Sequence, residues 1–593
     1  MLSRIINFSI KNKFVVLLFT VFIIGFGLYS LSQIPIGAVP DVTNNQVQVI
    51  TTSRNLSTQD MEQFITYPVE LEMANLPGVK EIRSVSKFGL SVVTIVFEDD
   101  LGTYLPRQLI AEKIKSASEI IPAGFGSPEM SPISTGLGEI YQYILDVEPE
   151  YKDQYSAEDL RTIQDWIVKR QLSGIPGVVE VNTWGGLLKQ YEVAINTEKL
   201  NAMDITTQDI FTALEMNNSV SGGGYIEKVN QAYFIRGEGL VTSLEDIENI
   251  VVKNDNNIPV YVKDVAEVGF GSAMRFGTIT GNGQGEKVLG QVMMLKDANS
   301  KNVIDAVKER VTSISNSLPE GVYINAFLDR SELIAKTTFT VAENLILGSL
   351  IVIFVVVLLL GNFRSGLVVA SVIPLSLLFA LSLMYIFGVD ANLMSLGAID
   401  FGIIIDGAVI IVEFIAFQIT KRKDEIDALT SLSSDKGRTK KQLLKDEITF
   451  TGASKMMNSA IFGQLIILIV FIPILSLSGV EGKMFRPMAL TFSFALIGAM
   501  ILCFTYVPVA AALFLKPSNA SEKNISVRLM AWIHNRYDPI IDWALCSKRL
   551  VLGIAVVLLG ISVYLFTAMG GEFVPTLDEG DFVIQPILKT GNP

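Results

Sequence analysis

The sequence predicts a polytopic α-helical membrane protein with a large exterior α+β domain made of ferredoxin-like (split βαβ) subdomains. Three observations predict it. Seven apolar stretches are long enough to cross roughly 30 Å of hydrocarbon, which takes about 20 residues at 1.5 Å each. A long segment of ordinary polarity, residues 33–337, separates the first stretch from the second. Within that segment a Pro-Gly-Val signature recurs between a helical and a strand pattern. Half of the 593 residues are apolar and 18% are charged, against about a quarter charged in a soluble domain, which excludes a wholly soluble or disordered chain. The net charge of −13 argues against a nucleic-acid surface, which needs clustered cations. Two cysteines and the single His534 leave no CxxC pair and no HExxH, which excludes disulfide scaffolds and conventional zinc enzymes.

The spans are expected at 14–32, 341–360, 366–388, 392–417, 459–478, 487–514 and 550–567. The first is too long for a signal-peptide core and lacks a small-x-small cleavage site, so it is read as an uncleaved anchor. Arg4, Lys11 and Lys13 precede it, Arg364 lies between spans two and three, and Lys421, Arg422, Lys423, Lys436, Arg438, Lys440, Lys441 and Lys445 follow span four. The positive-inside rule places these cations in the cytoplasm. Residues 1–32 are then the cytoplasmic terminus with span one, 33–337 the exterior domain, 338–515 spans two to six, and 516–549 a cytoplasmic connector. Span seven (550–567) and a short exterior stretch, 568–593, complete the chain. The connector's Ile525–Leu545 stretch carries Trp532 and Trp543 beside Arg528 and Arg536, which suits a helix lying on the membrane face or a small helix packed on protein.

Leu76-Pro77-Gly78-Val79 recurs 99 residues later as Ile175-Pro176-Gly177-Val178. A second pair of helix ends matches Ile121-Pro122-Ala123-Gly124 with Leu318-Pro319-Glu320-Gly321. Runs at 47–50, 92–96, 141–145 and 191–195 are β-branched or aromatic and read as strands. The order β-α-β, β-α-β is a split βαβ sandwich present twice. Glycine-rich runs at 221–224 and 281–285 mark an inserted subdomain over about 205–285. After span seven, Phe573-Val574-Pro575 echoes Ala38-Val39-Pro40 after span one. A tandemly duplicated protein of about twice this length is therefore expected, of which this chain is the first part.

Span four carries Asp400, Asp406 and Glu413 in otherwise apolar sequence. An acid at the centre of a membrane helix costs about 2.5–3.5 kcal/mol on the lenient insertion scale, so it is normally there for function. At 100° per residue Asp406 and Glu413 share a face while Asp400 is turned by about a third of a turn, with rises of roughly 9 and 10 Å between them. A ladder of that kind suits proton relay; a helix-end acid or a buried hydrogen bond to a neighbour is the plainer alternative.

Asp400-Phe401-Gly402, Asp406-Gly407-Ala408 and Glu413, with Pro40-Asp41, Gln164-Asp165-Trp166, Gly136-Leu137-Gly138-Glu139-Ile140 and the 479–488 segment Gly-Val-Glu-Gly-Lys-Met-Phe-Arg-Pro-Met, resemble the heavy-metal efflux subfamily of the resistance-nodulation-division (RND) transporters. Multidrug members of that superfamily typically have adjacent aspartates where this chain has Asp406-Gly407, and lack an acid matching Asp400. The resemblance implies a proton-driven antiporter with no cofactor, a homotrimer in the bacterial inner membrane with its large domain in the periplasm. It also implies a periplasmic adaptor (membrane fusion) protein and an outer-membrane channel as partners. The family's relay further uses a lysine from a later span of the second half, and no Lys or Arg falls inside the expected spans two to six, so the chain alone should not pump.

Hard and borderline divalent ions prefer carboxylate and imidazole, soft monovalent ions thioether and thiolate. Glu139 is the first candidate metal ligand. Met293-Met294 is a tempting soft pair, but adjacent strand residues face opposite ways, so core packing is the simpler reading. In copper and silver exporters of the resembled subfamily a methionine stands shortly after the acidic run that follows span seven. Here Asp578-Glu579-Gly580-Asp581 is followed by Gln585 at that position. An amide is a poor ligand for a soft ion, so zinc, cobalt, cadmium or nickel are expected. Copper/silver export, multidrug export and, from another class, a membrane-anchored sensor or secretion accessory are the competing readings. No triad, phosphate loop or nucleotide motif supports an enzyme, and a membrane potential supplies about 2.3 kcal/mol per charge per 100 mV without ATP.

Overall fold

The computed structural model describes residues 2–37, 40–53, 56–255, 258–275, 277–360, 362–397, 401–431, 435–517, 525–570 and 584. They form two compact units. One comprises residues 1–131, 299–301 and 330–593, the other 132–298 and 302–329.

In the first unit a short helix, Leu2–Lys11, precedes the apolar helix α1 (Lys13–Gln33), after which the chain folds the first repeat. Its strands are β1 (Gln46–Thr52), β2 (Val79–Lys87), β3 (Leu90–Phe97) and β4 (Pro128–Met130), in the antiparallel order β2-β3-β1-β4. Alternation along β1 turns Val47, Val49 and Thr51 inward, as period-two patterning requires. A helix from Thr58 to Met73 and α2 (Tyr104–Ile120) cover that face, burying Ile65, Val69, Ile110 and Ala117 among others. The first of these helices widens into a π-turn at Glu62–Thr66. There the buried Thr66 hydroxyl meets Ser91 Oγ at 2.7 Å and Ser86 Oγ at 2.8 Å.

The second unit repeats the plan with β5 (Glu139–Val147), β6 (Val178–Trp184), β11 (Val288–Met294) and β12 (Val322–Asp329) in the order β12-β5-β11-β6. Numbered within each copy, both sheets run 4-1-3-2, the ferredoxin-like arrangement. Its helices span Ala157–Leu172 and α3 (Ser300–Ile314), and the former again holds a π-turn, Gln164–Val168. There the buried Gln164 accepts from the Tyr143 hydroxyl at 3.1 Å. The repeated Pro-Gly step has the same geometry in both copies: Gly78 and Gly177 have φ of +74° and +89°, a region in which a Cβ is strained.

The strand expected at 191–195 does exist, as β7 (Lys189–Ile195), but it pairs with β10 (Ala266–Ser272) in a separate ribbon. The interruption of the second copy therefore runs over 185–287, wider than the expected 205–285. Composition marks a strand without naming its partner. Inside the interruption, β8 (Ser219–Lys228) and β9 (Gln231–Gly239) form a hairpin exposed along its whole length.

Apart from a two-residue parallel pairing of Ile36–Gly37 with Ala391–Asn392, the rest of the first unit is mainly helical, with α4 (Arg330–Leu360), α5 (Phe363–Ala370), α6 (Val372–Phe387), α7 (Phe401–Lys421), α8 (Asp435–Val470), α9 (Gly479–Phe504), α10 (Tyr506–Phe514), α11 (Ile525–Cys546) and α12 (Lys548–Ala568). Five helical stretches among the described residues are long and apolar enough to cross a membrane: Lys13–Gln33, Phe363–Phe387, Thr439–Leu475, Gly479–Phe504 and Lys548–Ala568. α4, whose apolar part is Ile346–Leu358, and α7 stand where the other two spans are expected. Small residues bring the helices together, as they do in lipid. A methyl added at Gly27 of α1 would lie 2.7 Å from Leu378 Cβ of α6. The amphipathic Ile525–Leu545 stretch is helical, with Trp532 and Trp543 exposed on α11.

Candidate functional site

The apolar residues of α7 decide how its acids are presented. Ile404, Ile405, Ala408, Ile411, Val412 and Ile415 are buried against neighbouring helices of the unit, which leaves Asp406 and Glu413 together on the exposed side. The seven-residue spacing thus places both carboxylates on one face. Asp400 lies outside the described residues. Gly407, next to Asp406, is a point of close approach. A methyl there would come within 2.8 Å of Gln464 Nε2 on α8 and 3.4 Å of Cys503 Sγ on α9. Glycine thus leaves room for the Gln464 amide of α8 beside the acid, while Cys503 of α9 stands at ordinary contact distance.

Two polar residues near the ladder escaped the reading of the sequence. Gln464 is 2% exposed and sits one residue from Asp406 across the α7–α8 contact; a lone amide in the apolar span-five segment was its only signal. Lys455 falls short of the span expected at 459–478, yet α8 begins at Asp435, so Lys455 is well inside that helix. Its Nζ lies 5.4 Å from the ring centroid of Phe414, the neighbour of Glu413.

In the second unit Glu139 opens β5, exposed, and accepts from Gln142 Nε2 at 3.1 Å. Strand register sets it opposite Met293 of β11, which in turn lies opposite Glu180 of β6. Directly opposed residues share a sheet face, so Glu139, Met293 and Glu180 form one row. Met294 is buried beneath, as the alternation of adjacent strand residues requires. Among the described residues, no three His, Cys, Asp or Glu side chains converge as a metal-holding group. Gln585, like the acidic run before it, lies outside the described residues.

The sequence profile of the AcrB/AcrD/AcrF family matches residues 5–593. The chain belongs to that family. Within this AcrB-type group it is similar to the cobalt-zinc-cadmium resistance protein CzcA of Cupriavidus metallidurans, 44% identical over all of this chain and 55% of the relative. It is also similar to the nickel-cobalt-cadmium resistance protein NccA of Alcaligenes xylosoxydans xylosoxydans, 36% identical over 99% of this chain and 56% of that one. A crystal structure of a heavy metal efflux pump superposes with a TM-score of 0.82 at 30% identity, covering 97% of this chain and 53% of the other. The chain thus spans about half the length of the relatives it matches. The family is one of RND transporters, and the heavy-metal branch is the one matched. The long apolar helices and the two ferredoxin-like sandwiches agree with that membership.

Proposed function

We propose that the protein to which this chain belongs is a proton-driven antiporter that exports divalent heavy-metal ions, zinc, cobalt, cadmium or nickel. It would act as a homotrimeric inner-membrane pump, its large domain in the periplasm, joined to a periplasmic adaptor and an outer-membrane channel. The observation that carries the reading is the presentation of Asp406 and Glu413 on one face of α7, away from the unit's own core. Carboxylates on an otherwise apolar membrane helix are costly unless paired or placed along an aqueous or proton path. Asp406 is the central carrier, with Asp400 and Glu413 as its relay neighbours.

The divalent assignment is supported by the names of the relatives and by carboxylate and amide, rather than thiolate, at the candidate positions Glu139 and Gln585. Efflux from proteoliposomes of the full-length protein, with Zn(II), Co(II), Cd(II), Ni(II), Cu(I) and Ag(I) tested separately under an imposed proton gradient, decides it. Transport of only the two monovalent ions would reverse the ion assignment; transport without any gradient would remove the antiport.

A further inference from the structure

The end of the helical part that carries the basic segments gathers four cations from three separate stretches of chain. Lys441 and Lys445 come from α8, Arg364 from the start of α5, and Lys516 from the segment after α10, and the last two and Lys441 all lie within electrostatic reach of Lys445. Lys445 is 6% exposed, and its ammonium donates to the Leu515 carbonyl at 2.6 Å, a neutral acceptor that leaves the charge itself uncompensated. The nearby carboxylate, Asp446, is committed elsewhere: Lys13 Nζ holds both of its oxygens at 2.7 and 2.8 Å, and Gln442 Nε2 donates to it at 2.9 Å. Asn362 fixes the geometry by capping α5 at the Arg364 N–H (3.1 Å) and reaching the Lys516 carbonyl (3.5 Å).

Arg364 and Lys516 are exposed. Large apolar side chains flank the cations in sequence and are exposed too: Phe363 and Leu367 on α5, Leu443 on α8, Leu513 and Phe514 on α10. In a chain of net charge −13 such a concentration of positive charge is a local exception. It sits among apolar helices, where a free ion would have no use for the greasy surround but an amphiphile would.

We propose that Arg364, Lys441, Lys445 and Lys516 form a binding site for the phosphate of an anionic phospholipid headgroup, with the adjacent exposed apolar side chains receiving its acyl chains. Basic recesses between membrane helices on the cytoplasmic side are suited to such headgroups. The membrane orientation given above determines only which leaflet supplies the lipid.

The test is native mass spectrometry of the full-length protein in detergent, titrated with dioleoylphosphatidylglycerol or dioleoylphosphatidylcholine. Wild type and the exposed-site variant Arg364→Gln/Lys516→Gln are compared, with thermal unfolding midpoints as the fold check. Preferential binding of the anionic phosphatidylglycerol is expected, weakened about fivefold for each basic side chain removed, with phosphatidylcholine binding unchanged. Equal phosphatidylglycerol binding by variant and wild type would overturn the site. Displacement of the lipid by millimolar inorganic phosphate would overturn the lipid as occupant, whereas persistence of the complex supports it. Metal export is not the readout, so either outcome leaves the transport reading standing.

Discussion

Lys483, near the start of α9, forms an ion pair with Asp99 at 2.6 Å, and the same ammonium donates to the Thr43 carbonyl at 2.9 Å. Asp99 starts the turn after β3, and Thr43 lies in the segment leading into β1. Asn45 Nδ2 ties that segment to the same turn through the Glu98 and Gly102 carbonyls, both at 2.9 Å. A membrane helix that closes on the carboxylate helix at Gly407 is therefore fastened at its other end to the first sandwich. Lys483→Met and Asp99→Asn should each lower metal export by the full-length protein severalfold at unchanged membrane abundance. The double variant should cost little more than either single one, because the two side chains share one interaction. Additive losses in that cycle would show that the pair is not a unit.

Asp406→Asn in the full-length protein should abolish proton-coupled metal export from liposomes while leaving assembly intact, and Glu413→Gln should reduce it. A normal proton-to-metal coupling in the Asp406→Asn protein would remove Asp406 from the relay.

Gly407→Ala should destabilise the helix packing by about 1 kcal/mol, the low end of the cost of overpacking, because its methyl meets Gln464 Nε2 at 2.8 Å and that amide is the far end of a side chain that can shift. Gly407→Asp, which would place two adjacent aspartates at 406 and 407, should be worse still. Thermal unfolding in detergent measures both. A midpoint unchanged by either substitution would contradict the close approach of α8 to α7.

In the second unit, burial of Asp146 opposes its ionisation. The Lys287 ammonium at 2.8 Å, with the Val147 N–H and Asn325, outweighs that effect and holds the carboxyl below the usual aspartate range. A carboxylate with a depressed pKa adds stability that is present above its unfolded value and is lost as the pH falls through its folded value. Unfolding of this unit should therefore ease below about pH 4, near the unfolded aspartate pKa. Lys287→Met should cost about 1.5–3 kcal/mol at neutral pH and flatten the acid limb. A parallel acid limb in the variant would assign the pH dependence to other groups.

What the sequence disclosed depended on whether the signal was local. The paired Leu-Pro-Gly-Val and Ile-Pro-Gly-Val steps announced the duplicated sandwich because a turn needing positive φ writes itself into a glycine. The shared face of Asp406 and Glu413 followed from helical periodicity alone. Lys483 was visible within its motif, but its partners lie hundreds of positions away, and no spacing rule reaches that far. The row of Glu139, Met293 and Glu180 depends on register shifts beside Met293 in both pairings, which composition does not record. Lys455 was missed for a simpler reason: hydropathy finds the apolar middle of a helix, and α8 extends far beyond it.

The π-turns in the two sandwiches also keep each helix in phase with its core. A π-turn holds one residue more than the helix around it, and so absorbs an insertion that would otherwise rotate every later side chain by about 100°. Glu62 opens the first 16 residues before Gly78, and Gln164 opens the second 13 residues before Gly177, a difference of less than one turn. In each copy the bulge keeps the residues on either side of it on one buried face, Met61 with Val69 in the first sandwich and Leu160 with Leu172 in the second. Deleting one residue from either bulge should therefore turn Val69 or Leu172 away from its core.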